Sequence, residues 1–135
     1  MAPSSTSTSR GPDRPCTDVG VLIIDDDPPF RHGLAALLRE DGHVVHDVGE
    51  AGDLPPLATL HWVAVVIADR QMVGEDAIVF ADRFHGAHPG CPVVLVTPYR
   101  TPAMDAQVQA RLFLHLAEKP VDYEHLHAEV HALAR

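Results

Sequence analysis

Basic side chains are scarce in this chain. Lys and Arg number 10 against 19 Asp and Glu, a formal net charge of −9 over 135 residues. Sequence-independent binding to nucleic acid needs basic surface for the phosphates, so direct nucleic-acid contact is disfavoured. Cysteine is nearly absent. Cys16 and Cys91 cannot build a disulfide framework or a four-thiolate zinc site, and read as two reduced thiols. No apolar run approaches the roughly 18 residues of a membrane span. The opening Met-Ala-Pro-Ser-Ser-Thr-Ser-Thr-Ser lacks the apolar core of a secretory signal. A cytoplasmic protein without a membrane partner is expected. There is no internal repeat and no heptad series.

What is present divides into two parts. Residues 1–18 are rich in Ser, Thr and Pro and hold almost no large apolar side chains, so a disordered tail is expected there. Residues 19–135 then form a single domain, long enough to bury a core without staples. Three short runs in it are apolar on both side-chain parities: Val19–Ile24, Trp62–Ala68 and Pro92–Val96. That pattern marks strands buried on two faces of a parallel sheet. Val44–Val48 and Leu112–Leu116 are weaker candidates for two more.

Helical periods lie between these runs. Phe30, Leu34, Leu37 and Leu38 form one stripe after Pro28-Pro29, with Gly42 placed to stop the helix. Ile78, Ala81, Asp82 and Phe84 predict another helix, ended by Gly86. Residues 50–61 predict a short helix despite Pro55-Pro56, and residues 102–111 another that starts at Pro102. Tyr123, Leu126, Val130 and Leu133 give a terminal helix an apolar face, and Glu124, His125, His127, Glu129 and His131 its polar one. Alternating strands and helices imply an α/β fold, a doubly wound five-stranded parallel sheet with helices on both faces. Sites in such folds sit at the carboxyl ends of the strands.

Polar residues gather at those predicted ends. The first strand runs into Asp25-Asp26-Asp27, the third into Asp69, the fourth into Thr97, and the fifth is followed by Lys119-Pro120. Adjacent acids repel one another, and a hard divalent cation is the simplest compensating charge. Read singly, each residue has a plainer role. Asp69 could be a loop-capping acid, Thr97 a helix cap and Lys119 a solvated lysine. Asp27 reads as an N-cap before Pro28 rather than as a ligand.

Taken together, Asp25-Asp26, Asp69, Thr97 and Lys119-Pro120, at intervals of 43, 28 and 22 residues, resemble the receiver domain of bacterial two-component response regulators. The resemblance covers roughly residues 18–134. It implies the flavodoxin-like strand order 2-1-3-4-5. It implies that Asp69 accepts a phosphoryl group from a histidine kinase or phosphotransfer protein. Asp25, Asp26, Asp69 and the backbone carbonyl of Gln71 would hold Mg²⁺, with Mn²⁺ as a substitute. Lys119 and Thr97 would contact the phosphoryl oxygens, and the Lys119–Pro120 bond would be cis. Such a domain is a phosphoacceptor and not an enzyme, beyond slow autodephosphorylation.

Four positions depart from the family pattern. Pro98 follows Thr97 where a small residue is usual. Val73 stands in place of proline and Ala77 in place of glycine, which costs energy if that turn needs a positive φ. Leu116 replaces the usual switching aromatic, and the nearby Phe113 should point elsewhere on an alternating strand. A degenerate receiver that binds its partner without phosphorylation is therefore the main alternative. A haloacid-dehalogenase-like phosphatase, suggested by Asp25-Asp26-Asp27, is weaker, because Pro29 stands where that family prefers Thr or Val and no acidic pair follows Lys119.

The chain stops at Arg135 without room for a helix-turn-helix, so output through protein contacts, to an unknown downstream partner or a second copy, is expected. In the family that contact often uses the helix after the fourth strand, the fifth strand and the terminal helix. Met104, Val108, Leu116, His127 and His131 would lie there. His127 and His131 also have the i, i+4 spacing of zinc ligands, although no Glu follows His127 and a solvated polar face is the plainer reading.

Overall fold

The computed structural model describes residues 19–71 and 76–134. The expected tail 1–18, with Arg10, Arg14 and Cys16, and the departure at Val73 lie outside the described residues. The strands are β1 (Gly20–Ile24), β2 (Val44–Val48), β3 (Val65–Asp69), β4 (Val93–Thr97) and β5 (Leu114–Glu118). They pair in parallel in the order β2-β1-β3-β4-β5. The helices are α1 (Pro28–Glu40), α2 (Ala77–Ala87), α3 (Pro102–Gln109) and α4 (Tyr123–Leu133).

The two side-chain parities of the central strands feed two separate cores. Val21, Ile23, Val65, Ile67, Val94 and Val96 pack under α1 and α4 against Leu34, Leu38, Leu126 and Val130. Leu22, Ile24, Val66, Ala68, Val93 and Leu95 pack under α2 against Phe80 and Phe84. Each fully buried aliphatic or aromatic side chain contributes about 1.5–3 kcal/mol of transfer free energy. Two full faces are what continuous apolar runs can supply and alternating ones cannot.

Helix ends follow local chemistry. Asp76 caps α2, its Oδ1 accepting from Ile78 N at 2.8 Å and Val79 N at 3.3 Å. Thr101 caps α3 and Asp122 caps α4. Asp27 takes the N-cap place of α1 but makes no side-chain cap. Pro29 offers no N–H there, and the Asp27 N–H instead donates to Asp25 Oδ1 at 2.9 Å. Past the end of α1, Gly42 adopts φ 93°, the left-handed conformation that favours glycine. His43 N–H then reaches back to the Leu38 carbonyl at 3.1 Å.

Several expectations from periodicity are corrected. Leu37 is 42 % exposed and lies beside the core stripe rather than in it. Residues 50–61 form no α-helix but two single 3₁₀ turns, Ala51–Asp53 and Leu57–Thr59, because Pro55 and Pro56 remove donors between them. Gly86 lies inside α2, which stops at His88, the residue that Pro89 forces out of helical geometry. β3 starts at Val65, with Trp62 in the preceding turn, and β5 starts at Leu114, after a turn that leaves Leu112 exposed. Ala77 is a buried first residue of α2, so the turn needs no positive φ at that position. Phe113 precedes β5 and leans on the same core as Leu116 rather than away from it.

Candidate functional site

β1 and β3 are neighbours, but β1 continues to β2 on one side while the rest of the sheet builds outward from β3. Their carboxyl ends therefore flank the point where strand order reverses, where the following loops part and leave a crevice. Asp25 leaves β1 there and Asp69 ends β3, with exposures of only 2 % and 7 %. Asp26, one residue on, points into solvent. One carboxylate oxygen from each of the three lies within 4.8 Å of the others.

Lys119 supplies the opposing charge. It follows β5, its backbone N–H donates to the Thr97 carbonyl at 2.8 Å, and the Lys119–Pro120 bond is cis. Its Nζ lies 3.1 Å from Asp25 Oδ2 and 3.8 Å from Asp69 Oδ2. The Phe30 ring sits under the ammonium, with Nζ 4.4 Å from its centroid. Lys119 is the chain's sole lysine.

Backbone donors hold both acids. Asp25 Oδ1 accepts from Asp27 N at 2.9 Å, and Asp69 Oδ1 accepts from Gln71 N at 3.0 Å. Burial pushes the Asp25 carboxyl above the ordinary carboxylate range, and the nearby Asp69 pushes it the same way. The Asp27 N–H and Lys119 pull it back without restoring it. One ammonium thus does not neutralise two buried carboxylates and a third at the rim. A small hard cation with oxygen ligands fits that donor set and would relieve the excess.

Thr97 ends β4, is 3 % exposed, and does not cap α3. Its hydroxyl is engaged locally. Oγ1 accepts from Tyr99 N and donates to Tyr99 O, both at 3.2 Å. Pro98 is exposed on this turn, and Tyr99 beside it is 76 % exposed. The predicted partner surface is only partly brought together. Met104 is buried, and Val108 and Leu116 are half-buried against the α2 core. Leu116 also borders a groove of about 700 Å³ between β5 and α4, with Pro120, Val121 and Leu126. His127 and His131 are not on that surface, nor on a solvated face. They turn toward His43 at the corner between α1 and β2.

Arg31 was not singled out from sequence. Its Nη1 donates to the Asp25 carbonyl at 2.6 Å, while Nε pairs with Asp47 on β2 at 3.1 Å. It ties the acidic turn to the sheet edge. Phe30 was read as core and also serves as the platform for Lys119. The signal for both was their place in the first turn of α1, which the short Asp25–Asp27 connection holds beside the strand ends.

A family model described as the response regulator receiver domain matches residues 21–131. The transcriptional regulatory protein PdtaR of Mycobacterium tuberculosis is 38 % identical over 82 residues, 58 % of this chain and 38 % of that protein. The C4-dicarboxylate transport transcriptional regulatory protein DctD of Pseudomonas aeruginosa is 30 % identical over 100 residues, 74 % of this chain and 22 % of its own length. The chain thus spans well under half the length of these two relatives. Among solved structures, a CheY-like receiver domain protein from Methanospirillum hungatei superposes with a TM-score of 0.77 at 19 % identity, covering 87 % of this chain and 94 % of the other. A Burkholderia pseudomallei response regulator, solved with a phosphorylated aspartic acid, calcium ion and citrate, gives a TM-score of 0.73 at 22 % identity over 87 % and 69 % of the two chains.

Proposed function

The chain belongs to the response regulator receiver family, and from that membership we propose that Asp69 is its phosphoryl acceptor in a two-component signalling step. The observation that carries the proposal is the pairing of a buried Asp69 at the end of β3 with Lys119 Nζ at 3.8 Å. The Burkholderia relative's phosphorylated aspartic acid lends the same chemistry to this fold.

The donor is a phosphohistidine on a histidine kinase or phosphotransfer protein. Asp69 Oδ1 is held by Gln71 N–H, so Oδ2, facing Lys119, is the oxygen that attacks phosphorus. The new O–P bond forms as the P–N bond breaks, and the imidazole departs with the electron pair. Lys119 receives the phosphoryl oxygens as a point charge already in place, and little of the molecule must reorganise to stabilise them. Asp25, Asp26, Asp69 and the Gln71 carbonyl would hold Mg²⁺, which when bound would neutralise charge on the phosphoryl group. Thr97 reaches the acyl phosphate by giving up its bonds to Tyr99, so modification is read at the Thr97–Tyr99 turn. That turn and the β5–α4 groove pass the state to a downstream protein. The chain acts as a signalling domain and not as a classical enzyme.

Intact mass after incubation with acetyl phosphate and Mg²⁺ tests this. A gain of about 80 Da is expected in the wild type and not in Asp69→Asn. No gain in the wild type would leave a phosphorylation-independent binding module as the better reading.

A further inference from the structure

We propose that His43, His127 and His131 form a second metal site, suited to zinc rather than magnesium and distinct from the acidic crevice. One ring nitrogen of each lies within 4.8 Å of the other two. The Nε2 atoms of His43 and His127 are 2.8 Å apart, although 84 residues separate them in the chain. His127 and His131 reach the cluster from successive turns of α4, and His43 from the turn that follows α1. His43 is 5 % exposed and the other two are half-buried, so the site is drawn inward and is not a surface scatter of imidazoles.

An acid lies beside the donor set. Asp41 Oδ2 lies 3.7 Å from His127 Nε2, and the Tyr123 hydroxyl donates to that same oxygen at 2.6 Å. Three imidazoles are a zinc-binding set with one position left to fill, and the hydrogen-bonded Asp41 carboxylate stands beside it. Nitrogen donors of this softness favour Zn²⁺ over Mg²⁺, which belongs with carboxylates. Ala128 follows His127 where a metalloprotease would carry Glu, so the site is structural: a clasp from the α1–β2 corner to α4.

Coordination has a defined proton consequence. His43 Nδ1 accepts from Val19 N–H at 3.3 Å, which leaves its proton on Nε2, donated to His127. Binding through Nε2 moves that proton to Nδ1 and gives up the long Val19 contact. No proton need leave a neutral ring.

Equilibrium dialysis of the full chain against Zn²⁺ in excess Mg²⁺ tests the site. One tightly held Zn²⁺ per chain is expected, unchanged in Asp69→Asn and weakened at least about tenfold in His131→Gln. The double variant His127→Gln/His131→Gln should retain none. Circular dichroism verifies that both variants fold. In the wild type, imidazole ¹⁵N spectra should show Zn²⁺-induced shifts at Nε2 of His43, and the Val19 amide should move with them. No retained zinc, retention by the folded double variant, or an unmoved His43 ring would each overturn the site.

Discussion

Lys119 Nζ sits closer to Asp25 than to Asp69, at 3.1 Å against 3.8 Å. The one lysine of the chain therefore compensates two acids at once, and the better-paired acid is Asp25, not the proposed acceptor. Lys119→Met should remove the ion-pair partner of both carboxylates. In urea at neutral pH, without divalent metal, a loss of about 2 kcal/mol is expected. That is below the cost for a fully buried pair, because Lys119 is partly solvated. Added Mg²⁺ should restore most of the loss.

Asp25 gives the site a pH dependence of definite sign. Its folded pKa lies above the ordinary value of 3.8, chiefly through burial. The folded state therefore holds the proton more readily than the unfolded chain, and ionisation of Asp25 opposes folding. That opposition is absent below 3.8, grows as pH rises through the raised value, and is fully present above it. Mg²⁺ should stabilise the protein at neutral pH and progressively less in acid. A carboxyl ¹³C titration should place the Asp25 midpoint above 3.8 in metal-free protein and move it down when Mg²⁺ is added.

Asp26 separates binding from stability. It is exposed and lies beside the buried pair, so as a proposed ligand it would add to binding without supporting the core. Asp26→Asn should weaken Mg²⁺ about tenfold by calorimetry and shift the urea midpoint little.

Two glycines should respond in opposite directions. A Cβ on Gly20 would meet the Trp62 carbonyl oxygen at 2.1 Å, where β1 lies against the turn before β3. Gly20→Ala should cost about 1–3 kcal/mol from overpacking. A Cβ on Gly86, inside α2, meets nothing within 4 Å. Gly86→Ala should stabilise by about 0.5–1 kcal/mol, measured in the same urea titration.

The crevice was legible in sequence because its residues occupy positions that the strands fix. Runs apolar on both parities marked the strands, and the polar residue after each run marked its carboxyl end. Asp25, Asp69 and Thr97 needed only that rule to be placed together, and the resemblance to receivers then supplied their proposed roles. Elements without a fixed period were harder. Residues 50–61 have helical spacing, but Pro55 and Pro56 decided the backbone there. Gly86 looked like a terminator, yet glycine ends a helix only when it takes a positive φ, as Gly42 does and Gly86 does not.

Long-range polar contacts were the least legible. His127 and His131 show helical spacing, and nothing in that spacing names His43 as the residue they meet. Arg31 reads as an ordinary helix residue until β2 brings Asp47 beside it. The tertiary fold creates such pairs, and one-dimensional pattern carries no signal of them.

The most direct measurement of the central claim is to locate the phosphoryl group itself. Protein treated with acetyl phosphate and Mg²⁺ is reduced with borohydride, which converts an aspartyl phosphate to an alcohol, and its peptides are mapped by mass. Reduction at Asp69 alone is predicted. Reduction at Asp25 or Asp26 instead, or at no aspartate, would contradict it.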